Sequence, residues 1–221
     1  MLKLATEEDY DIVVCDYIMV TEKAEKVAES LHGINNNSSL EEKIAYIRNH
    51  ACTKIFKKDF WLQQGLMFPE NIKRGDDMAV VIPLLTRTEK IGVINEQLYY
   101  YLQRENSMSN SKPTKIDLKF YDDAFELMCK NKNEKYALEI EYHGILEMIY
   151  GKTMLMIKHK YSNKEIKKHL NEFKAKYPNW NKNKYMKNMI PLKKLFVKIA
   201  SYKLIGILRI MVNINEKRTK K

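Results

Sequence analysis

The ten residues D-I-V-V-C-D-Y-I-M-V, Asp11 to Val20, decide how this chain is read. They are β-branched and apolar with little alternation, the pattern of a strand covered on both faces, and such a strand belongs to an α/β sheet. Downstream, Asn35 to Ser39 is a polar loop, and Ser39 with Glu42 forms a capping-box pattern for a helix with Leu40, Ile44 and Ile47 at helical spacing. Gly65 to Gly75 is a connection containing Pro69. Met78 to Thr88 is apolar enough for a buried helix, with Asp76 and Asp77 at its N-terminus, where carboxylates satisfy free backbone N–H groups and oppose the dipole. Ile91 to Gln103 contains V-I and then L-Y-Y-Y, a β-rich run, and Glu105 to Pro113 is a Ser/Asn-rich loop. From Ile116 to His169 the pattern turns helical, and the remainder is helical and basic.

With 221 residues, 45% of them apolar and 30% charged, the chain reads as globular rather than disordered. Its 39 basic against 28 acidic residues give a formal charge of +11, which hides a division. Residues 151–221 hold 20 basic and 3 acidic side chains, whereas residues 1–150 hold 19 basic and 25 acidic, so the partner-seeking charge is C-terminal. Cys15, Cys52 and Cys129 lie far apart without C-x-x-C spacing, which argues against a disulfide framework or structural zinc and fits a reducing compartment. Met1 to Tyr10 has four charged residues and lacks an apolar core segment, so export is not expected. Leu195 to Val212 is apolar-rich, but Lys198, Lys203 and Arg209 disfavour a spanning helix.

Gly75-Asp76-Asp77 ahead of a buried helix reads in two ways that can coexist on one residue: a helix cap, or a carboxylate at a cleft edge able to deprotonate a sugar hydroxyl. Asp9-Tyr10-Asp11 has the D-x-D spacing by which carboxylates hold a hard cation, but it precedes the strand instead of closing one and reads as a solvated turn. The five histidines show no ligand spacing, and no metal site is expected. Hydrolase, P-loop and Rossmann motifs are absent. Tyr99-Tyr100-Tyr101 with Arg104 either lines a groove for sugar and phosphate or packs across a sheet. Leu192 to Val212 can be drawn as one helix with Lys194, Lys198, Ser201 and Arg209 inside a wedge of about 80° and Lys203 opposite. That helix suits either an anionic membrane surface, with Lys194, Lys198, Lys203 and Arg209 as its contacts, or a core.

Four elements occur in order: D-Y-D-I-V-V-C-D-Y, A-C-T-K-I-F-K-K, F-P-E-N-I-K-R-G-D-D-M-A-V and I-N-E-Q-L-Y-Y-Y-L-Q-R-E-N-S-M-S. Through them, Asp9 to Ser109 resembles the C-terminal part of bacterial family 2 glycosyltransferases, inverting GT-A enzymes that build capsular and cell-surface polysaccharides. The resemblance implies a partial GT-A-like mixed α/β sheet with flanking helices, here followed by a helical basic region. It also implies that Asp77 matches the base that activates the acceptor hydroxyl, with Asp76 in place of the usual Glu. Lys54, Gly75, Tyr101, Arg104 and Ser107 fall on substrate-binding positions. Thr53 stands where the family commonly has Asn or Asp, and Leu102 where it commonly has Arg. Family members use Mn²⁺ or Mg²⁺ held on a D-x-D that ends a nucleotide-binding region of roughly a hundred residues, and this sequence starts just after that point.

Three regions are therefore expected: an acceptor-side transferase part over 1–112, a helical extension over 113–190, and a basic amphipathic helix and tail over 191–221. A base without a donor site cannot catalyse, so the chain by itself is expected to be inactive toward a nucleotide sugar and glycan acceptor, with a complementing chain or homo-oligomer completing it. The expected location is the cytoplasmic face of the cell membrane. The alternative is a non-catalytic membrane-surface or protein-interaction module; nucleic acid is disfavoured because the tail is apolar as well as basic.

Overall fold

The computed structural model describes residues 1–104 and 115–219, in two compact units: residues 1–112 with 123–137, and residues 113–122 with 138–221. Ser107 lies outside the described residues.

In the first unit, α1 (Leu2–Glu7) leads through a turn into β1 (Ile12–Val20), whose residues Ile12 to Tyr17 are all buried, as the unbroken apolar run requires. β2 (Lys26–Ser30), α2 (Leu40–Tyr46), a single 3₁₀ turn (Ala51–Thr53), β3 (Lys54–Phe56) and α3 (Lys58–Gln64) follow. Next come α4 (Asp76–Leu85) and β4 (Ile91–Leu102). The expected strands and buried helix are present, and the sheet is mixed. β4 runs parallel to β1 along its whole length, from Ile12–Ile91 to Val20–Leu102, and the helices between them form the crossover a parallel pair needs.

On its other edge β1 changes partner half-way. Antiparallel β3 covers Ile12 to Val14 and antiparallel β2 covers Tyr17 to Val20. Cys15 and Asp16 fall in the gap, where the β1–β4 register also slips. Their side chains bond elsewhere: Cys15 Sγ to the Thr53 carbonyl at 3.4 Å, and the Asp16 carboxylate to His32. Every residue of α4 from Met78 to Leu85 is buried, so this helix is the middle of the core. Gly92 is where Tyr10 packs onto the sheet: a Cβ there would stand 2.6 Å from the ring.

The second unit is helical. It takes the start of α5 (Lys115–Asn131), then α6 (Ala137–Gly144), a π-helical stretch (Ile145–Lys152), α7 (Thr153–Lys158) and α8 (Asn163–Lys176). Ser162 and Glu165 cap α8 reciprocally. The π turn puts backbone carbonyls off the α-helical register, and the Met148 carbonyl is met by His169 Nε2 at 2.8 Å. Burial holds His169 at about 4, so its ring is a neutral N–H donor. The part-exposed carboxylate of Asp122 pairs with the buried ammonium of Lys152.

The single helix drawn over Leu192 to Val212 is corrected. Two helices occupy it, α9 (Pro191–Ser201) and α10 (Ile205–Thr219), broken at Tyr202 to Leu204 where Lys203 takes a left-handed φ of 56°. The wedge of Lys194, Lys198, Ser201 and Arg209 therefore does not exist as one face. Arg209 turns inward, its guanidinium donating to the Tyr161 carbonyl and to Asn163 Oδ1. No helix among the described residues is long and apolar enough to cross a membrane.

Candidate functional site

Gly75 adopts φ 82°, a left-handed conformation that costs a residue with a Cβ about 1 kcal/mol or more, and from it α4 starts abruptly. Asp76 and Asp77 occupy the first two helical positions, where the helix dipole favours their charge. Both are partly exposed, while the next eight residues are buried. Asp77 thus stands at the point where the core meets solvent.

Around it the 3₁₀ turn before β3 supplies the frame. The Ala51 N–H donates to Asp77 Oδ2 at 3.3 Å. Lys54, 8% exposed, sends its ammonium back under that turn, donating to the carbonyls of Arg48 and His50 at 2.7 Å each and to Thr53 Oγ1 at 3.2 Å. An ammonium has three hydrogens, and these bonds use all three. Lys54 was expected to touch substrate; the structure places it beneath the turn that holds Ala51 against Asp77. Burial lowers its pKa to about 7, opposed by the Asp77 charge. Burial likewise raises Asp77 above its ordinary value, with the Ala51 N–H and Lys54 pulling it down.

Beside Asp77 lies Cys52, a residue the sequence reading passed over although it sits inside A-C-T-K. Its thiol is pushed up, first by burial and then by the Asp77 charge, and is hydrogen-bonded to the Tyr99 side chain. Strand alternation divides the three tyrosines: Tyr99 and Tyr101 share one face, ring centroids 6.4 Å apart, whereas Tyr100 is 66% exposed. Tyr101 packs at 6.1 Å from Tyr17 on β1, and Tyr17 stands edge-on to His50 at 5.5 Å. The site is thus a carboxylate, a thiol and an aromatic wall gathered from β1, the 3₁₀ turn, α4 and β4. Arg104 is exposed two residues past β4.

Behind this wall is a second buried polar pair. The Asp16 carboxylate accepts from the His32 backbone N–H at 2.8 Å and from His32 Nδ1 at 2.6 Å, both side chains almost fully buried. No spacing rule signals it, since sixteen residues separate the partners.

The resemblance implies Mn²⁺ or Mg²⁺, and the described residues do not fit one. Asp9 is exposed at a turn of φ 50° and held by Lys57 and Lys90, which drop its pKa to about 2. Asp11 accepts from the Thr88 hydroxyl at 2.5 Å. Among the described residues no group of three or more His, Cys, Asp or Glu could hold a metal.

No family model matches the sequence. Over 106 residues the chain is 27% identical to the minor teichoic acid biosynthesis protein GgaB of Bacillus subtilis (strain 168), an alignment covering 45% of this chain and 12% of GgaB. It superposes on the crystal structure of S. aureus TarS 1–349 with a TM-score of 0.59 at 14% identity, covering 98% of this chain and 61% of TarS 1–349. Against the TarS complex with UDP-GlcNAc the TM-score is 0.62, again at 14% identity, over 98% and 62%. The fold is similar to that of TarS. The comparisons agree with the resemblance drawn from residues 9–109, and the TarS likeness agrees with a mixed α/β sheet of that type. The chain spans 12% of the GgaB sequence and about three-fifths of the TarS structures.

Proposed function

We propose that the first unit is the acceptor side of a transferase that moves a sugar from a nucleotide sugar onto a cell-surface glycan or its lipid-linked precursor, with Asp77 as the base. The observation that carries this reading is the half-buried Asp77 carboxylate at the head of a helix whose next eight residues are buried, held by the Ala51 N–H, with Cys52 next along the same turn hydrogen-bonded to Tyr99. The likeness to a teichoic acid biosynthesis protein supports the acceptor class, and the TarS complexes with UDP and UDP-GlcNAc support the donor class.

In this reading Tyr99 and Tyr101 offer ring faces to the acceptor sugar and Asp77 takes the hydroxyl proton. The freed oxygen attacks the anomeric carbon, the bond to the diphosphate breaks, and its electron pair leaves on the nucleoside diphosphate with inversion. Burial helps because a carboxylate whose pKa is raised is a stronger base. Lys54 acts indirectly, by fixing the turn whose Ala51 N–H orients the carboxylate. Charge on the leaving diphosphate has to be met by donor-side groups, and we assign these to residues outside this sequence, so the 221 residues alone transfer no sugar.

Calorimetric titration of the chain with UDP-GlcNAc and Mn²⁺ tests that assignment: no heat of binding is expected, and micromolar affinity would overturn it. In a polypeptide that joins these residues to a donor side, Asp77→Asn should lower kcat by about 10²- to 10⁴-fold while the protein stays folded. An unchanged kcat would remove Asp77 from the chemistry.

A further inference from the structure

The two C-terminal helices each carry a buried stripe and a second apolar stripe that faces solvent. Phe196, Val197 and Ala200 of α9, with Leu208 and Val212 of α10, are buried in the second unit. Leu192 and Leu195 on α9 with Tyr202 at its C-terminal cap, and Ile207, Ile210 and Ile214 on α10, are between 45% and 66% exposed. At 100° per residue the first three lie within about 80° and the last three within about 60° of arc, so neither set is scattered. Lys194 and Lys198, both exposed, border the α9 stripe.

A surface of this size in hydrocarbon calls for an occupant, and its charge selects one. We propose that α9 and α10 seat on the surface of an anionic lipid bilayer, the solvent-facing stripes entering the acyl boundary and Lys194 and Lys198 lying at the level of the lipid phosphates. Residues 151–221 carry 20 basic and 3 acidic side chains, so two copies meeting through this region would bring like charges together, whereas anionic headgroups supply the opposite sign. The helices lie on the bilayer and do not cross it, consistent with the lack of any described helix able to span. Arg209 and Lys203 are not part of this surface: the first is bonded inward and the second forms the break between the helices. The proposal is independent of the sugar-transfer reading.

The test is co-sedimentation of the 221-residue chain with vesicles of phosphatidylcholine containing about one-third phosphatidylglycerol, against vesicles of phosphatidylcholine alone. Binding to the anionic vesicles is expected, with Lys194→Gln/Lys198→Gln weakening it roughly tenfold or more. Leu195→Gln/Ile210→Gln should weaken it by roughly the same factor without changing the circular dichroism, because both positions are exposed. Equal binding to the neutral vesicles would overturn the proposal. So would binding that responds to the lysine pair alone, which marks bulk electrostatic attraction. Dissociation of a dimer by the apolar pair with lipid binding unchanged would also overturn it, and would assign the face to a second copy.

Discussion

Both units bury polar groups, but they present different chemistry at their surfaces. In the first, Asp16 and His32 are shut inside, Lys54 is folded under a turn, and Asp77 is half-sunk at a helix start. In the second, Lys152 and His169 are buried as well, while the final helices keep an apolar face outside as well as inside. A buried polar group survives only where its hydrogen bonds are met, so it fixes geometry closely. An exposed apolar stripe fixes nothing inside the unit and is free to serve an interface. The first arrangement is suited to chemistry and the second to a surface.

That contrast can be broken by mutation, and the largest stability effect should come from Asp16. Asp16→Ala strands His32 Nδ1 and its backbone N–H and should lower the unfolding free energy by about 3 kcal/mol, read from urea melts, while Asp16→Asn, which keeps an acceptor, should cost less. A negligible effect would show that the buried pair is not structural. Next is pH. His50 and His169 are both held near 4 by burial, from an ordinary 6.5, so between those values the unfolded chain binds protons that the folded chain refuses. Their contribution is fully present above about pH 6.5 and is lost as pH falls toward 4. His169→Gln should lower the Tm at neutral pH and flatten its dependence across that window; an unaltered slope would locate the acid sensitivity elsewhere.

A smaller change is expected at the entrance to α4. Gly75→Ala forces a Cβ into the left-handed region and should cost about 1 kcal/mol, and because it shifts the first turn it should also weaken any effect that depends on Asp77. Smallest of all should be Ile207→Gln in the second unit, within about 0.5 kcal/mol of wild type by the same urea measurement. A loss of several kcal/mol there would mean that the stripe is internal packing, and the contrast between the units would fail.

The central strand was legible because β-branched residues at consecutive positions admit few other readings once both faces must be covered. The buried helix after Gly75 was legible for a related reason, since eight apolar residues behind two carboxylates mark both a core element and its solvated end. The role of Lys54 was not legible. A lysine in a motif reads as a surface charge, and only the backward fold of the 3₁₀ turn gives its three hydrogens acceptors inside the protein. Cys52 was missed because a single thiol has no periodicity, and Asp16 with His32 because their pairing depends on β1 exchanging β3 for β2 at that point. Likewise, an apolar run from Leu192 to Val212 implies one helix by pattern, but Tyr202 to Leu204 turn, and each of the two shorter helices buries its own residues, Phe196, Val197 and Ala200 in α9 and Leu208 and Val212 in α10.

By itself the sequence determined what depends on neighbours along the chain: which segments are strand or helix, where the core helix begins, and how charge divides between the two ends. Tertiary structure alone decided which polar groups meet. Hydrogen bonds between Asp16 and His32, Cys15 and Thr53, or Arg209 and Tyr161 are fixed by the path of the backbone in three dimensions, and no local propensity encodes a partner far away in sequence.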